Sequence, residues 1–242
     1  MSGALNLSLA FQDVRDALLL NLDYLNSMDS ERGRHGEEMV SLFTLLAAAE
    51  EPDSPQMLIA DLFERSAQHA SSILDNLSAQ FYVQGLACFA DALRELNLTA
   101  EELPPYLRVI LADSPDSPAY SGRISQGQLL KALIKGLSSW DAQLPKQGAA
   151  ASSPGMGYLF DLGIAYLQAR QQNASKLDAV VDVAVQHSPL KFPAYRAASG
   201  KLVLSTLLSS ILSQAEAPAL PRDKRCEDHD SSEHLETGCL PQ

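Results

Sequence analysis

Cys226, His229, His234 and Cys239 are separated by two, four and four residues, so four zinc-competent donors fall within fourteen positions. Structural Zn²⁺ takes four thiolate or imidazole ligands in a tetrahedron, and donors this close can be supplied by one short loop. These four are the candidate metal ligands, and zinc is the one cofactor the residue types suggest. Glu227, Asp228, Asp230, Glu233 and Glu236 stand between them, where their charge would attract a cation and repel phosphate. The competing reading is a solvated tail without metal. Pro218, Pro221 and Pro241 flank charged and small polar residues, and burying so little apolar surface does not offset chain entropy. On that ground residues 216–242 are expected to be a disordered acidic tail.

The donor spacing resembles that of the retroviral-type zinc knuckle, with His229 in the place of that family's second cysteine. The resemblance covers fourteen residues and implies a metal-organised loop, but the aromatic and basic residues by which such knuckles bind nucleic acid are missing. Leu159, Leu162, Gly163 and Tyr166 are in turn similar to the L-x₂-L-G-x₂-Y signature of the tetratricopeptide repeat's first helix. That resemblance implies close helix packing at Gly163 against a second helix carrying Ala184. No convincing second copy follows at a period of about 34 residues.

Other chemistry finds little footing. There is no G-x-S-x-G elbow, and Cys88 has no histidine near it in sequence. Gly155-Met156-Gly157 follows a connector rather than a strand, which removes it as a phosphate fingerprint. Arg32, Arg34 and His35 lie beside glycines in the segment 31–38 and could cradle an anion. Glu31, Glu37 and Glu38 compete for the same cations, so a solvated loop is expected there. Ser114 and Ser117 each precede proline in a linker-like composition and are candidate phosphorylation sites in a host with proline-directed kinases.

Charge is divided along the chain. Residues 1–121 carry nineteen acidic and six basic side chains, residues 122–221 five and nine, and the remainder six and three. The halves should attract each other. A net charge of −12 argues against a nucleic-acid surface, which needs clustered Lys and Arg, and against docking on anionic lipid. Asp13, Arg15 and Asp16 interrupt the apolar run from Leu5 to Leu22, so no secretory signal is expected. The run Leu202 to Leu212 is about half the roughly 20 residues a spanning helix needs. Three scattered cysteines fit a reducing compartment, and a cytoplasmic location is expected.

The elements that must position these residues are helices. Leu7, Phe11, Val14, Leu18, Leu22 and Leu25 recur at spacings of three or four, one face of a first long helix. A second runs over about 37–50. Stripes through Ile73, Leu77 and Phe81, then Leu86, Phe89, Leu93 and Leu96, follow, with Gly85 placed for a close crossing or a break. Thr99 with Glu102 reads as a capping box, and Ser175 with Asp178 opens a later helix. Val181 to Val185 also alternates like a strand, yet no second strand is near to pair with it. A last helix is expected over about 195–214.

The expected architecture is all α: a bundle of about eight to ten helices, as one body or two subdomains. The expected boundaries are an acidic part at 1–112, a linker at 113–122, a mildly basic part at 123–215 and the tail. The expected role is a non-enzymatic helical adaptor or regulatory subunit that binds another protein. Lys131 and Lys135, on one face of the stripe Leu129 to Leu137, are the candidate partner-binding residues, unless they dock on the acidic half instead. The rivals are a helical enzyme or small-molecule carrier, with Tyr158, Tyr166, Tyr195 and His187 converging on a pocket, and a zinc-dependent regulator using the tail.

Overall fold

Apolar side chains that recur every three or four residues on a helix need neighbours to cover them, and here the neighbours are other helices. The computed structural model describes residues 5–49, 56–74, 76–111, 128, 131–132, 135–136, 139–140, 156–172 and 175–216. Among the described residues there are nine α-helices with defined bounds, one 3₁₀ turn and no strand. The linker 113–122 with Ser114 and Ser117, the connector 146–153 and all four candidate metal ligands lie outside the described residues.

The first stripe runs through two helices, α1 (Leu7–Leu20) and α2 (Leu22–Met28), and buries Leu7, Phe11, Val14, Leu18 and Leu25. Asn21 makes the break. Its backbone N–H donates to the Leu18 and Leu19 carbonyls, and its side-chain amide donates to the Ala17 carbonyl at 2.9 Å. At the other end Asn6 caps α1 by accepting from the Leu9 N–H at 2.6 Å. α3 (His35–Ala48) lies along α1, where Phe11 meets Phe43 edge-on at 5.9 Å.

α4 (Ile59–Ile73) and α5 (Leu77–Arg94) form an extensive antiparallel-type pair. Asn76 starts α5 by accepting from the Ala79 N–H at 2.7 Å. The chain therefore breaks between Ile73 and Leu77, and these two residues, placed on one buried stripe by spacing alone, are exposed at the junction. Gly85 lies inside an unbroken α5. The turns before α4 and before α6 (Leu103–Leu111) are tied by one antiparallel bridge between Leu58 and Thr99. The expected capping box forms there, with the Glu102 N–H on Thr99 Oγ1 at 3.3 Å and the Thr99 N–H on Glu102 Oε2 at 3.0 Å.

α7 (Met156–Gln171), α8 (Lys176–Gln186), a 3₁₀ turn (Pro189–Lys191) and α9 (Ala194–Glu216) complete the bundle. Ser175 caps α8 by accepting from the Asp178 N–H at 3.0 Å. α8 is buried on two sides: Val181 and Val185 join the main core, while Val183 meets Leu162 of α7. That double burial explains its strand-like alternation. α9 returns to pack on α1 and α6, so a single core takes residues from Leu5 through Ile211. No helix among the described residues is long and apolar enough to cross a membrane.

Candidate functional site

His35 is the first residue of α3 and is fully buried, as is Ser199 of α9. Spacing brings it inside: His35, Met39, Leu42 and Leu46 step down one face of α3 by four, three and four residues. On α5, Ser78 and Tyr82 share a face in the same way, and both are buried. The three helices meet at these polar groups. His35 Nδ1 lies 3.0 Å from Ser78 Oγ, and Nε2 lies 2.9 Å from Ser199 Oγ. Ser78 Oγ donates to Glu38 Oε2 at 2.5 Å, and the Tyr82 hydroxyl stands 2.7 Å from Ser199 Oγ.

One direction of donation satisfies every member. Glu38 ends the chain as an acceptor, its other oxygen held by Arg32 Nη1 at 2.9 Å. Ser78 spends its proton on Glu38 and must accept from His35, which fixes the proton on Nδ1. Nε2 then accepts from Ser199, whose hydroxyl proton is shared with the Arg196 carbonyl at 3.2 Å, and Ser199 accepts from Tyr82. A neutral ring is required, and burial provides it: desolvation lowers the His35 pKa from 6.5 to about 4, against the opposing charges of Asp29 and Glu38. Arg196 and Arg32 push in the same direction as burial. Burial likewise raises the Tyr82 hydroxyl well above its ordinary value, so it remains a donor.

The surrounding groups close the centre. The Tyr195 ring lies 4.6 Å from that of His35, and the Arg196 guanidinium sits 4.0 Å from the centre of the Phe81 ring. Arg32, expected in a solvated loop, turns inward onto Glu38 and lies 3.6 Å from buried Asp29. Arg34 reaches the same Glu38 oxygen at 3.5 Å from an exposed position. The segment 31–38 is thus a lid on an ionic and hydrogen-bonded core rather than an open anion cradle.

Ser199, His35 and, through Ser78, Glu38 have the contacts of an activated nucleophile. They lack a place for a substrate. A reacting atom must sit about 3 Å from the nucleophile, and Ser199 has no exposed surface. A cleft of about 210 Å³ opens at the α4–α5 junction, lined by Ser71, Ser72, Ile73, Leu74, Gln80 and Val83 among others, and it includes no member of the His35 chain. Cys88 is buried, and its thiol is pushed up by desolvation and by the charge of Asp91, which suppresses the reactive thiolate. What this arrangement does is fix three helices in one register, because every member must be matched at once.

The residues singled out by sequence fall in other places. Lys131 is exposed, and Lys135 hydrogen-bonds Glu95, the C-cap residue of α5, which lies in the acidic half. The Glu95 carboxyl is held below its ordinary range by that hydrogen bond and by the charges of Lys135 and Lys131. Close by, Trp140 lies over Gly85, where an added Cβ would stand 2.8 Å from the indole. The glycine therefore permits the close crossing expected of it. Tyr195 rests on His35, whereas Tyr166 is half-buried with Leu162 and Val183, and His187 closes the end of α8. The side chain of Tyr158 lies outside the described residues.

α7 departs most from expectation. Among the described residues its extensive contacts are with α8, made through Leu162, Ala165 and Tyr166. Gly163, Ile164 and Leu167 face outward; Ile164 is 48% and Leu167 61% exposed. A Cβ built on Gly163 meets nothing within 4 Å, so among the described residues the glycine serves no close packing, contrary to the repeat-like reading.

No protein-family model matches this chain, and neither curated proteins nor solved structures give a match.

Proposed function

We propose that this chain is a non-enzymatic helical adaptor or regulatory subunit that binds a protein partner through the outer face of α7. The observation that carries the reading is Gly163 flanked by exposed Ile164 and Leu167. Glycine inside an exposed helix costs about 1 kcal/mol relative to alanine, and no contact among the described residues requires it. A bare backbone between two aliphatic side chains is a site where another helix can approach closely. Contiguous exposed apolar side chains mark such surfaces.

The polar centre supports the same reading from the opposite side. Its catalytic-looking groups are committed to holding helices together and have no access to a substrate. Affinity purification from the native cell tests the proposal, using the wild-type chain and the double variant Ile164→Glu/Leu167→Glu. A partner recovered in stoichiometric amount with the wild type and absent with the variant, at equal thermal stability, is the expected result. Equal recovery with both chains would overturn the assignment of α7.

A further inference from the structure

Most cations of this chain sit beside carboxylates, as thirty acidic against eighteen basic side chains make easy. Arg15, Arg32, Arg34, Arg94, Lys135 and Lys201 each do so. Lys191 and Arg196 do not. Among the described residues they rest on aromatic rings instead. The Lys191 ammonium lies 5.4 Å from the centre of the Phe192 ring, and the Arg196 guanidinium lies 4.0 Å from that of Phe81 and 5.9 Å from that of Tyr195. A ring attracts a cation without cancelling its charge, so both remain able to pair with an anion.

The corner that carries them is anchored from below. Leu190 is buried and fills the notch at Gly200 of α9, where an added Cβ would stand 2.9 Å from it. Ser188 accepts from the Leu190 N–H at 3.2 Å, and the Arg196 N–H donates to the Pro193 carbonyl at 2.9 Å, so the 3₁₀ turn runs directly into the first turn of α9. Lys191 and Phe192 are therefore held at the surface by packed neighbours before and after them. Phe192 is 71% exposed. In sequence this phenyl ring stands between two cations that no carboxylate cancels, on a protein of net charge −12.

We propose that Lys191, Phe192 and Arg196 form a second docking surface, which takes an acidic segment of another protein in which carboxylates flank an apolar side chain. The apolar side chain covers Phe192, and the carboxylates pair with the two cations. Charge complementarity selects this occupant. Nucleic acid and anionic lipid need a larger basic cluster and meet the repulsion of the net charge. A second copy brings the same −12 to the contact. These residues are distinct from Ile164 and Leu167, and a chain with both surfaces holds two partners at once, as an adaptor must.

The test titrates the full chain into a fluorescein-labelled peptide of sequence EDEDLFEDED and follows its anisotropy. Saturable binding that weakens with added salt is expected. Phe192→Ala and Lys191→Glu should each weaken it about tenfold, and Arg196→Gln should act in the same direction. Lys191 and Phe192 are exposed, so those two variants should keep the circular dichroism of the wild type. Arg65→Glu reverses an exposed cation on α4, changes the net charge as much as Lys191→Glu does, and should leave the affinity unchanged. Ile164→Glu/Leu167→Glu should bind the peptide as the wild type does, whichever way the α7 proposal falls. Absence of saturable binding, or an equal loss in Arg65→Glu, would overturn the proposal. Three results that name another occupant would do the same. They are a dimer that dissociates in Phe192→Ala, capture by phosphatidylserine vesicles that is lost in that variant, and a gain of about tenfold in peptide affinity when Glu227, Asp228, Asp230, Glu233 and Glu236 are all neutralised, which would make the chain's own tail the occupant.

Discussion

α3 and α7 are helices of nearly equal length that dispose of their side chains in opposite ways. α3 draws His35 and Glu38 into the core, while α7 leaves Ile164 and Leu167 outside. The difference lies in their neighbours. α3 is enclosed by α1, α4 and α5 and meets α9 through Ser199, so even its polar residues must find partners inside. Among the described residues α7 rests on α8, which covers one face of it. A polar residue on an enclosed helix therefore becomes architecture, and an apolar residue on a helix at the edge becomes available surface.

The largest effect that would break this comparison is in the centre. His35→Ala removes the hub of the hydrogen-bond chain, opens a cavity and strands Ser199 and Tyr82. A loss of about 3–5 kcal/mol in urea unfolding is expected. A loss within about 0.5 kcal/mol would mean that the polar residues of α3 are not structural.

The next effect is the pH dependence of that centre. Burial holds the folded-state pKa of His35 near 4, below its ordinary 6.5, so as pH falls the unfolded chain takes up the proton first. The contribution of the neutral ring is complete above pH 6.5 and is lost as pH falls towards 4. Roughly 3 kcal/mol of stability should disappear over that range in the wild type beyond what disappears in His35→Gln. Parallel pH profiles for the two chains would show that protonation of this ring is not resisted.

The smallest effect sharpens the other side of the comparison. Gly163→Ala should raise stability by about 1 kcal/mol, because the helix gains propensity and the new methyl meets no neighbour. The same substitution should weaken partner binding. If stability rises and binding is unchanged, the glycine is incidental and the α7 surface lies elsewhere.

The helices were legible because their apolar spacing is regular and some of their starts carry caps: Thr99 with Glu102 and Ser175 with Asp178 act through local hydrogen bonds. Local signals misled where tertiary partners decide. The step from Ile73 to Leu77 keeps helical spacing across a break made by Asn76. His35 stood among charges and glycines that suggest a loop, although it continues the stripe Met39, Leu42 and Leu46 by one turn. That continuation was the available signal. Its meeting with Ser78 and Ser199, 43 and 164 residues away, was not readable from one sequence, since nothing local records which helices converge. The outward face of α7 was hidden for the same reason: periodicity says which residues share a side, not whether another helix covers it.

The division between a structural centre and a working edge is tested most directly by measuring thermal midpoint and partner recovery on two variants prepared side by side. Ser199→Ala should lower the midpoint, because it leaves His35 and Tyr82 unmatched at a cost of about 1–3 kcal/mol, while the remaining folded chain still captures the partner. Ile164→Glu/Leu167→Glu should keep the midpoint and lose the partner. The opposite pattern, with function lost in Ser199→Ala at an unchanged midpoint and retained in the α7 variant, would place the activity in the buried centre and contradict the account.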